Sequence, residues 1–266
     1  MGKNHLFTFM GTGAGCGVPA FFCDCPACTE ARKNPRARRG DCGAMVRNLE
    51  TPATLLIDTP PDVRQYLIRE DVREFDELLV THCHSDHISG MCELEYMVQL
   101  KTKHALPTFG SVEALGEVAI EFHYMDYALD FNVLEPFGTH EFDGVKYTAL
   151  PVTHAPGTFG YLIETGDTSL FYASDTGTLP DETRERIAGV DILAMDATYW
   201  KHCPAPVHHS VQTCIEEGLS LDVGKIYLTH LCMHYTEPIT LVELEEFCKQ
   251  YNGRVEPAAD GMSFEI

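Results

Sequence analysis

A short run of metal-binding residue types occupies positions 81–87, where the sequence reads THCHSDH. The apolar run 78–80 before it predicts a buried strand, so the donors lie where a strand ends and a loop opens. Alternate residues of an extended segment point the same way, so several of these side chains can converge. One ion cannot comfortably take every donor from so short a loop, and the pattern therefore favours two adjacent metal ions. The donors are His82, His84, Asp86 and His87.

Three further donors follow apolar runs later in the chain. Each lies directly after a predicted strand, and open sheets place their ligand-binding residues at such strand ends. We therefore expect these side chains to join the first group. They are His154 after the run 146–150, Asp175 after 170–174 and His230 after 225–229.

The spacing His-x-His-x-Asp-His, with three later donors in order, resembles the signature of the metallo-β-lactamase superfamily. The resemblance implies an α/β fold, a four-layer αββα sandwich, with a dinuclear metal centre. Imidazole and carboxylate donors suit Zn²⁺, with Mn²⁺ or Fe²⁺ as alternatives. By the resemblance, one ion is held by His82, His84 and His154, the other by Asp86, His87 and His230, and Asp175 bridges the two.

The same resemblance implies hydrolysis of a phosphodiester. Water bridging two such ions loses a proton near neutral pH and becomes a nucleophile, and the ions also draw charge from the phosphate oxygens. The leaving alkoxide still needs a general acid. His209, followed by Ser210, matches the histidine of the superfamily's phosphodiesterases, whereas His208 is predicted to have no role. The catalytic residues implied are thus His209, Asp86 and Asp175.

A second group of donors lies near the start of the chain, and it consists of Cys23, Cys25 and Cys28. Three thiolates facing one ion need a fourth soft or borderline ligand, which predicts a structural zinc site. The Cys-x-Cys-x-x-Cys pattern resembles the phosphoribosyl cyclic phosphate phosphodiesterases of phosphonate breakdown, and matching segments span nearly the whole chain. In that family a histidine three residues after the last active-site histidine completes the zinc site, but this chain has Met233 there. His234 is the preferred substitute and Cys232 the alternative, with a zinc-binding loop at about 16–42.

The charge balance limits the expected partners. With 19 basic and 40 acidic residues the net charge is −21. Such a chain repels polyanions, and nucleic-acid binding depends on phosphate neutralisation, so a long nucleic acid is not the expected partner. Six basic residues still cluster, either as a solvated face or as a patch that holds a small anion near the metals. They are Arg32, Lys33, Arg36, Arg38, Arg39 and Arg47.

The cysteine content indicates a cellular compartment. Eleven cysteines, three of them crowded together, fit a reducing cytoplasm with a metal site better than a disulfide scaffold. No apolar run approaches the roughly 20 residues of a membrane span, and residues 1–5 lack a signal-peptide core. We therefore expect a cytoplasmic protein without a membrane partner, as a monomer or a homodimer.

The elements that position these residues are predicted as one domain, residues 1–266. The glycine-rich run 11–17 follows the first strand, but Pro19 and the cysteines come next instead of a helix, which excludes a dinucleotide-binding turn. A helix is predicted from His87 to Leu100, directly after the first metal-binding run. Further strands are predicted at 44–49, 54–58, 145, 159, 169, 190–195 and 226–229, and further helices at 111–125, 210–219 and 241–251.

The sequence is compatible with three functions. The first is a phosphodiesterase, a phosphoric diester hydrolase that opens a small cyclic phosphodiester such as 5-phosphoribosyl 1,2-cyclic phosphate. The second is a ribonuclease Z-like tRNA 3′-processing nuclease or a cyclic nucleotide phosphodiesterase. The third is not enzymatic: a metal-bound carrier or scaffold of cofactor biosynthesis, similar to a superfamily member that also has the Cys-x-Cys-x-x-Cys zinc site.

Overall fold

Fourteen strands form two sheets in the computed structural model, which describes residues 4–166, 168–235 and 237–266. The first six strands are His5–Gly11 (β1), Gly43–Asn48 (β2), Thr54–Ile57 (β3), Glu77–Leu79 (β4), Leu106–Gly110 (β5) and Leu129–Val133 (β6). The remainder are Thr139–Phe142 (β7), Val145–Pro151 (β8), Phe159–Thr165 (β9), Thr168–Ala173 (β10), Ile192–Asp196 (β11), Lys225–Thr229 (β12), Val255–Pro257 (β13) and Ser263–Glu265 (β14). The first sheet has the order β14-β1-β2-β3-β4-β5-β6 and the second the order β13-β12-β11-β10-β9-β8-β7, with seven strands each.

Helices cover the outer face of each sheet. They are Pro26–Lys33 (α1), Val63–Arg69 (α2), Ser85–Ile88 (α3), Cys92–Met97 (α4), Val112–Glu121 (α5), Asp181–Ile187 (α6), Val211–Ser220 (α7) and Leu241–Cys248 (α8). One apolar cluster lies between the sheets, where Phe7 packs against Tyr172. A second joins the first sheet to α2, α4 and α5, and a third joins the second sheet to α1, α6, α7 and α8. The layers are therefore αββα, which confirms the predicted fold.

The apolar runs that predicted strands are continuous because both faces of each sheet are buried. In β10, Leu170 and Tyr172 point into the layer between the sheets, while Phe171 and Ala173 pack under the helices. Successive side chains of a strand face opposite ways, so a strand covered on both sides needs apolar residues at every position. The predicted hairpin of β2 and β3 is confirmed, with Met45 paired to Leu56.

The long helix predicted from His87 to Leu100 is wrong. The segment forms α3, a 3₁₀ turn at Ser89–Met91, α4 and a π-helical turn at Val98–Thr102. Gly90 explains the break, because its N–H donates to the carbonyl of Thr59 (2.8 Å) and a Cβ there would lie 2.2 Å from the carbonyl oxygen of Pro60. The chain bends at this glycine to pack against the loop after β3.

The described helices include none that is both long and apolar enough to cross a membrane. Residues 1–3, on which the signal-peptide prediction partly rests, lie outside the described residues. The assignment of one domain to residues 1–266 stays a prediction.

Candidate metal centre

Strand directions bring the seven predicted donors together. β10, β11 and β12 are parallel, and β8 runs the same way because it is antiparallel to β9, which is antiparallel to β10. The loops after β8, β10 and β12 therefore leave the same edge of the second sheet. They meet the loop after β4, at the matching edge of the first sheet. The sequence predicts this arrangement because each donor directly follows its strand.

The donor atoms separate into two groups that share a carboxylate. One group is His82, His84 and His154, and the other is Asp86, His87 and His230; within each, the ligand atoms lie within 4.8 Å of one another. Asp175 reaches both groups, since its Oδ2 lies 3.0 Å from Nε2 of His87 and its Oδ1 lies 3.1 Å from Nε2 of His230 and 3.7 Å from Nε2 of His154. Two overlapping sets also lie within this distance: His82 with His87 and Asp175, and Asp175 with Asp196, His208 and His230. The sequence predicts the first two sets, and the roles of these residues as ligands stay a prediction.

Two threonine–aspartate pairs orient three of the imidazoles. The Oγ1 of Thr81 donates to Asp58 (2.7 Å) and contacts Nδ1 of His82 (3.0 Å). Asp58 also lies 2.8 Å from Nδ1 of His87. On the opposite side, the Oγ1 of Thr198 donates to Asp196 (2.8 Å) and lies 2.8 Å from Nδ1 of His230. Such outer contacts fix the tautomer of a metal-ligating histidine and aim its other nitrogen at the ion.

The inner nitrogens of these rings fit a metal ion. Nε2 of His82, His87 and His230 are buried and make no hydrogen bond within the described residues, and neither does Oδ2 of Asp175. Buried polar atoms without a partner are costly, and several converging on one point are explained by a cation that they are built to hold. The chemistry of the donor set therefore fits metal ions, with imidazole and carboxylate ligands that suit Zn²⁺ or Mn²⁺.

Protonation suits ligation at only part of the donor set. At His87 and His230 burial lowers the pKa, but the charge of Asp175 more than offsets this, which raises the pKa of His87 well above its usual value and that of His230 to about 9. A metal ion that binds these two must therefore displace their protons. Burial lowers the pKa of His82 and His154, so both imidazoles are neutral, which is the form that binds metals. Burial raises the pKa of Asp175, but the nearby His230 and His87 more than offset this, so that its pKa lies well below the usual range. Asp175 is thus an anion between two groups of imidazoles.

We expect metal-replete protein to contain close to three metal ions per chain, two in this centre and one at the cysteine group. A chelator should remove the two ions of the open centre without unfolding the chain, because the apolar clusters that hold the sheets together lie away from it. Elemental analysis before and after chelation, with circular dichroism, measures both. A single tightly held ion in replete protein contradicts the two-group assignment.

His208, rather than His209, lies at the metal centre. Its ring stacks on His230 (centroids 5.4 Å apart, 12° between planes) and meets the ring of His154 edge-on at 4.8 Å. His209 is buried and turns towards α7, with Nδ1 3.0 Å from Oγ1 of Thr213. This arrangement reverses the prediction, which gave the role to His209 and none to His208. The reason is local: the cap of α7, where Ser210 and Thr213 bond reciprocally, also ties down the preceding side chain.

Asp196, which the sequence analysis did not single out, organises this side of the centre. It is fully buried, and its Oδ2 lies 2.6 Å from Nδ1 of His208 and accepts from the backbone N–H of Thr176 (3.0 Å). Its Oδ1 accepts from the backbone N–H and hydroxyl of Thr198. The available signal was its place at the end of an apolar run, the same signal that marks Asp175.

The cysteine group is also assembled. Donor atoms of Cys23, Cys28 and His234 lie within 4.8 Å of one another. Cys25 precedes α1, where its Sγ accepts from the backbone N–H of Cys28 (3.5 Å). Between the two candidates for the fourth ligand, the geometry favours His234, because its ring nitrogen lies within 4.8 Å of the thiols of Cys23 and Cys28, and Cys232 is not part of that group.

The loop after β12 explains how His234 reaches the cysteines. His230 and Met233 both have positive φ (53° and 52°), so the chain turns back twice within four residues. The sulfur of Met233, at the position where the resemblance implies a histidine, accepts from Nε of the buried Arg39 (2.9 Å). The imidazole of the next residue, His234, is the one that lies with the thiols.

We expect Cys25→Ser to lower the melting temperature by about 5 °C, since about 2 kcal/mol shifts a chain of this length by that amount. Serine is itself a favoured N-cap, so α1 keeps its cap and the loss comes from the thiolate. The ions of the other centre should stay bound. Calorimetry and metal analysis measure the two effects, and an unchanged melting temperature with full zinc content contradicts a ligand role for Cys25.

The predicted basic cluster does not form one shared patch. Arg39 is 2% exposed and donates to the hydroxyl of Thr12 (2.8 Å) and to the carbonyl of Ala258. The other side chains separate towards different partners. Arg32 pairs with Asp24, Arg36 with Glu245 and Arg47 with Glu70, while Nε of Arg38 donates to the carbonyl of Ala31.

Comparisons with known proteins agree with this architecture. The family profile described as "Beta-lactamase superfamily domain" matches residues 53–231. The chain is 28% identical over 219 residues to coenzyme PQQ synthesis protein B of Methylobacterium radiotolerans, covering 71% of each chain. It superposes on the crystal structure of a diphosphatase from the PhnP family with a TM-score of 0.86 and 26% identity, covering 99% of this chain and 97% of the other. For the short form of human tRNase Z the TM-score is 0.70, with 16% identity and coverage of 98% and 99%.

Proposed function

We propose that this chain, which belongs to the family described as "Beta-lactamase superfamily domain", is a metal-dependent phosphodiesterase that hydrolyses a small cyclic phosphodiester. The first candidate substrate is 5-phosphoribosyl 1,2-cyclic phosphate. One observation carries the proposal: unpartnered imidazole nitrogens converge around Asp175, directly beside a histidine that is held by a buried carboxylate. That combination supplies both a place for two ions and a proton donor.

Each part of the site has a distinct task in this proposal. His82, His84 and His154 would hold one ion, Asp86, His87 and His230 would hold the other, and Asp175 would serve both. When bound, such ions activate water and draw charge from the phosphate oxygens. Asp58 and Asp196 keep the imidazoles aimed inward through their threonine partners. The cysteine group holds a structural Zn²⁺ instead, because three thiols and an imidazole leave no open position.

His208 is the general acid of the proposed reaction. Its Nδ1 lies 2.6 Å from Oδ2 of Asp196, so that nitrogen carries a hydrogen and the ring is held between His154 and His230. Nε2 remains free to deliver a proton to the leaving alkoxide, and the proton returns from solvent. The backbone N–H groups of Thr176 and Thr198 also donate to Asp196 and so fix the position of the carboxylate that holds His208.

A cleft of about 370 Å³, lined by Cys16 and Gly17 of the glycine-rich run 11–17 and by none of the seven donors, is proposed to take the rest of a small substrate. The glycine loop forms one wall, and Gly15 packs so closely that a Cβ there would lie 3.1 Å from Oδ2 of Asp86. Arg38 lines the cleft and is the cation proposed to meet a second phosphate, while Asp41 and Asp62 are proposed to accept hydrogen bonds from sugar hydroxyls. The net charge of −21 favours such a compact substrate over a long nucleic acid.

A second candidate is hydrolysis of a diphosphate, favoured by the 26% identical diphosphatase structure. The same ions could serve a phosphoanhydride, whose phosphate leaving group needs little help from an acid. The resemblance to coenzyme PQQ synthesis protein B keeps a carrier function as the non-enzymatic alternative, and the tRNase Z fold keeps the nuclease alternative. A paired proton donor such as His208 with Asp196 has no purpose in a carrier, which is why hydrolysis is preferred.

A substrate panel tests the proposal. Purified, metal-replete protein is assayed against 5-phosphoribosyl 1,2-cyclic phosphate, 2′,3′-cyclic nucleotides, a nucleoside diphosphate and precursor tRNA, with an Asp175→Ala preparation as the control for contaminating enzymes. The expected result is the highest kcat/KM on the cyclic sugar phosphate. Preference for the diphosphate supports the second candidate, and failure to hydrolyse any of the four with full metal content overturns the enzymatic proposal.

A further inference from the structure

The cysteine group has more donors around it than one zinc ion can use. Besides Cys23, Cys25, Cys28 and His234, the thiol of Cys16 lies 3.3 Å from Nε2 of His234. Structural zinc takes four ligands in a tetrahedron. With Zn–S of about 2.3 Å and Zn–N of about 2.0 Å, the sulfur and nitrogen ligands of one ion lie roughly 3.5 Å apart. The Cys16–His234 contact is close to that separation.

We propose that Cys16 is a spare ligand of the cysteine zinc site, which takes the fourth position when His234 leaves it. The zinc is then held by four thiolates, from Cys16, Cys23, Cys25 and Cys28, in place of three thiolates and one imidazole. Soft thiolate donors suit Zn²⁺ at least as well as imidazole. This proposal concerns the zinc loop and does not depend on which substrate the enzyme hydrolyses.

The position of Cys16 in the chain suits an exchange of ligands. The residue is half-buried in the glycine loop, in a tight turn where the backbone N–H groups of Cys16 and Gly17 both donate to the carbonyl of Ala14 (2.6 and 2.8 Å). Gly17 has φ of +60°, so the loop changes direction immediately after the thiol. The other contact of the thiol is the exposed Tyr235, through its hydroxyl at 3.4 Å. The sulfur thus contacts the imidazole of His234 from a loop outside any strand or helix.

Cys232 is the natural comparison, because it also lies near the group but is built differently. It is 1% exposed, and its backbone N–H donates to the carbonyl of Thr198 (3.1 Å). The thiol of Cys16 lies 3.3 Å from Nε2 of His234, whereas no described hydrogen bond joins the thiol of Cys232 to that ring. Cys232 is therefore the control thiol, close to His234 in the chain but without this contact.

An exchange of zinc ligands at Cys16 would affect the dinuclear centre. Cys16 follows Gly15, where a Cβ would lie 3.1 Å from Oδ2 of Asp86. A displacement of Cys16 would therefore pass through one peptide bond to a residue next to a proposed ligand of the dinuclear centre.

Cobalt(II) substitution tests the proposal without reference to activity, since thiolate-to-cobalt absorption arises from the cysteine site and not from imidazole or carboxylate ligands. In His234→Ala the ion should be retained and this absorption should rise by about a third, from three thiolates to four. In His234→Ala/Cys16→Ser the affinity for the ion should fall at least about 100-fold further, because a direct ligand outweighs the outer contacts whose loss costs 10–100-fold. His234→Ala/Cys232→Ser is the control and should match His234→Ala.

Two results overturn the proposal. One is loss of the ion already in His234→Ala while the chain stays folded by circular dichroism. The other is equal affinity in His234→Ala and His234→Ala/Cys16→Ser, which would leave the thiol as a mere neighbour. Should His234→Ala/Cys16→Ser fail to fold, His234→Ala/Cys16→Ala replaces it. The single variant His234→Ala is then also alkylated, and bound zinc must protect four thiols of the loop rather than three.

Discussion

Replacing Asp175 with alanine is expected to lower kcat/KM by roughly 10³-fold or more, a loss of about 4 kcal/mol of transition-state stabilisation. Its Oδ1 lies 3.7 Å from Nε2 of His154 in one group and 3.1 Å from Nε2 of His230 in the other, and no other described carboxylate contacts both groups of donors. Without it, the two ions lose their shared anion and their mutual repulsion is uncompensated. Kinetics on the preferred panel substrate and metal analysis of the same samples measure the effect.

The fold should survive this change. Asp175 lies at the end of β10, outside the three apolar clusters that hold the layers together. Asp175→Asn keeps the size of the side chain and removes its charge, so it should fail in the same way. The matched control is Asp222→Asn, where an exposed aspartate already has positive φ (53°), a conformation that asparagine tolerates. Near-normal turnover in Asp175→Ala would mean that another residue joins the two groups.

The sequence places the predicted donors together because each one lies in the segment that follows a strand, and their roles as ligands stay a prediction. A buried strand is marked by a continuous apolar run, and the polar residues that come soon after it lie near the sheet edge. Asp175 and His230 are placed correctly for this reason, since β10 and β12 are both parallel to β11 and end at the same edge. Helices α6 and α7 separate Asp175 and His230 along the chain, but this separation does not change the sheet edge at which β10 and β12 end.

The roles of His208 and His209 could not be separated in the same way. The two residues are adjacent and chemically identical, so their orientation depends on the backbone between them. That backbone is set by the cap of α7 at Ser210 and by a buried carboxylate, Asp196, that lies on a different strand. A motif comparison fixes the position to within one residue, which is insufficient when both positions hold the same side chain.

The break in the predicted helix after the first metal-binding run has a similar cause. The apolar spacing of 88–98 is compatible with one helix, and only the tertiary contact of Gly90 with Thr59 and Pro60 interrupts it. Asp58 was missed because an aspartate at the end of a strand ordinarily marks a turn. Its function, to hold Thr81 and His87, is visible only when β3 and β4 lie side by side.

His208→Ala is expected to lower kcat on a cyclic sugar phosphate by ~10²–10⁴-fold, the usual contribution of a general acid. The ring of His208 packs against His154 and His230 and is held by Asp196. It lies beside the centre but belongs to neither of the two predicted ligand groups. The alkoxide that leaves from a sugar is a strong base and must be protonated. Nitrophenolate is a weak base and leaves without a proton. A nitrophenyl phosphodiester should therefore be hydrolysed at nearly the normal rate by His208→Ala.

His209→Ala is the matched comparison, because it removes the neighbouring imidazole that turns towards Thr213 instead of the centre. This variant should lose stability, since the side chain is 5% exposed, but keep a nearly normal ratio of rates on the two substrates. The measured quantity is that ratio, sugar phosphate to nitrophenyl ester, for each variant, with Asp196→Asn expected to follow His208→Ala because it weakens the hold on Nδ1. Equal losses on both substrates in His208→Ala would assign the residue to phosphate binding, and a selective loss in His209→Ala would restore the acid role to His209.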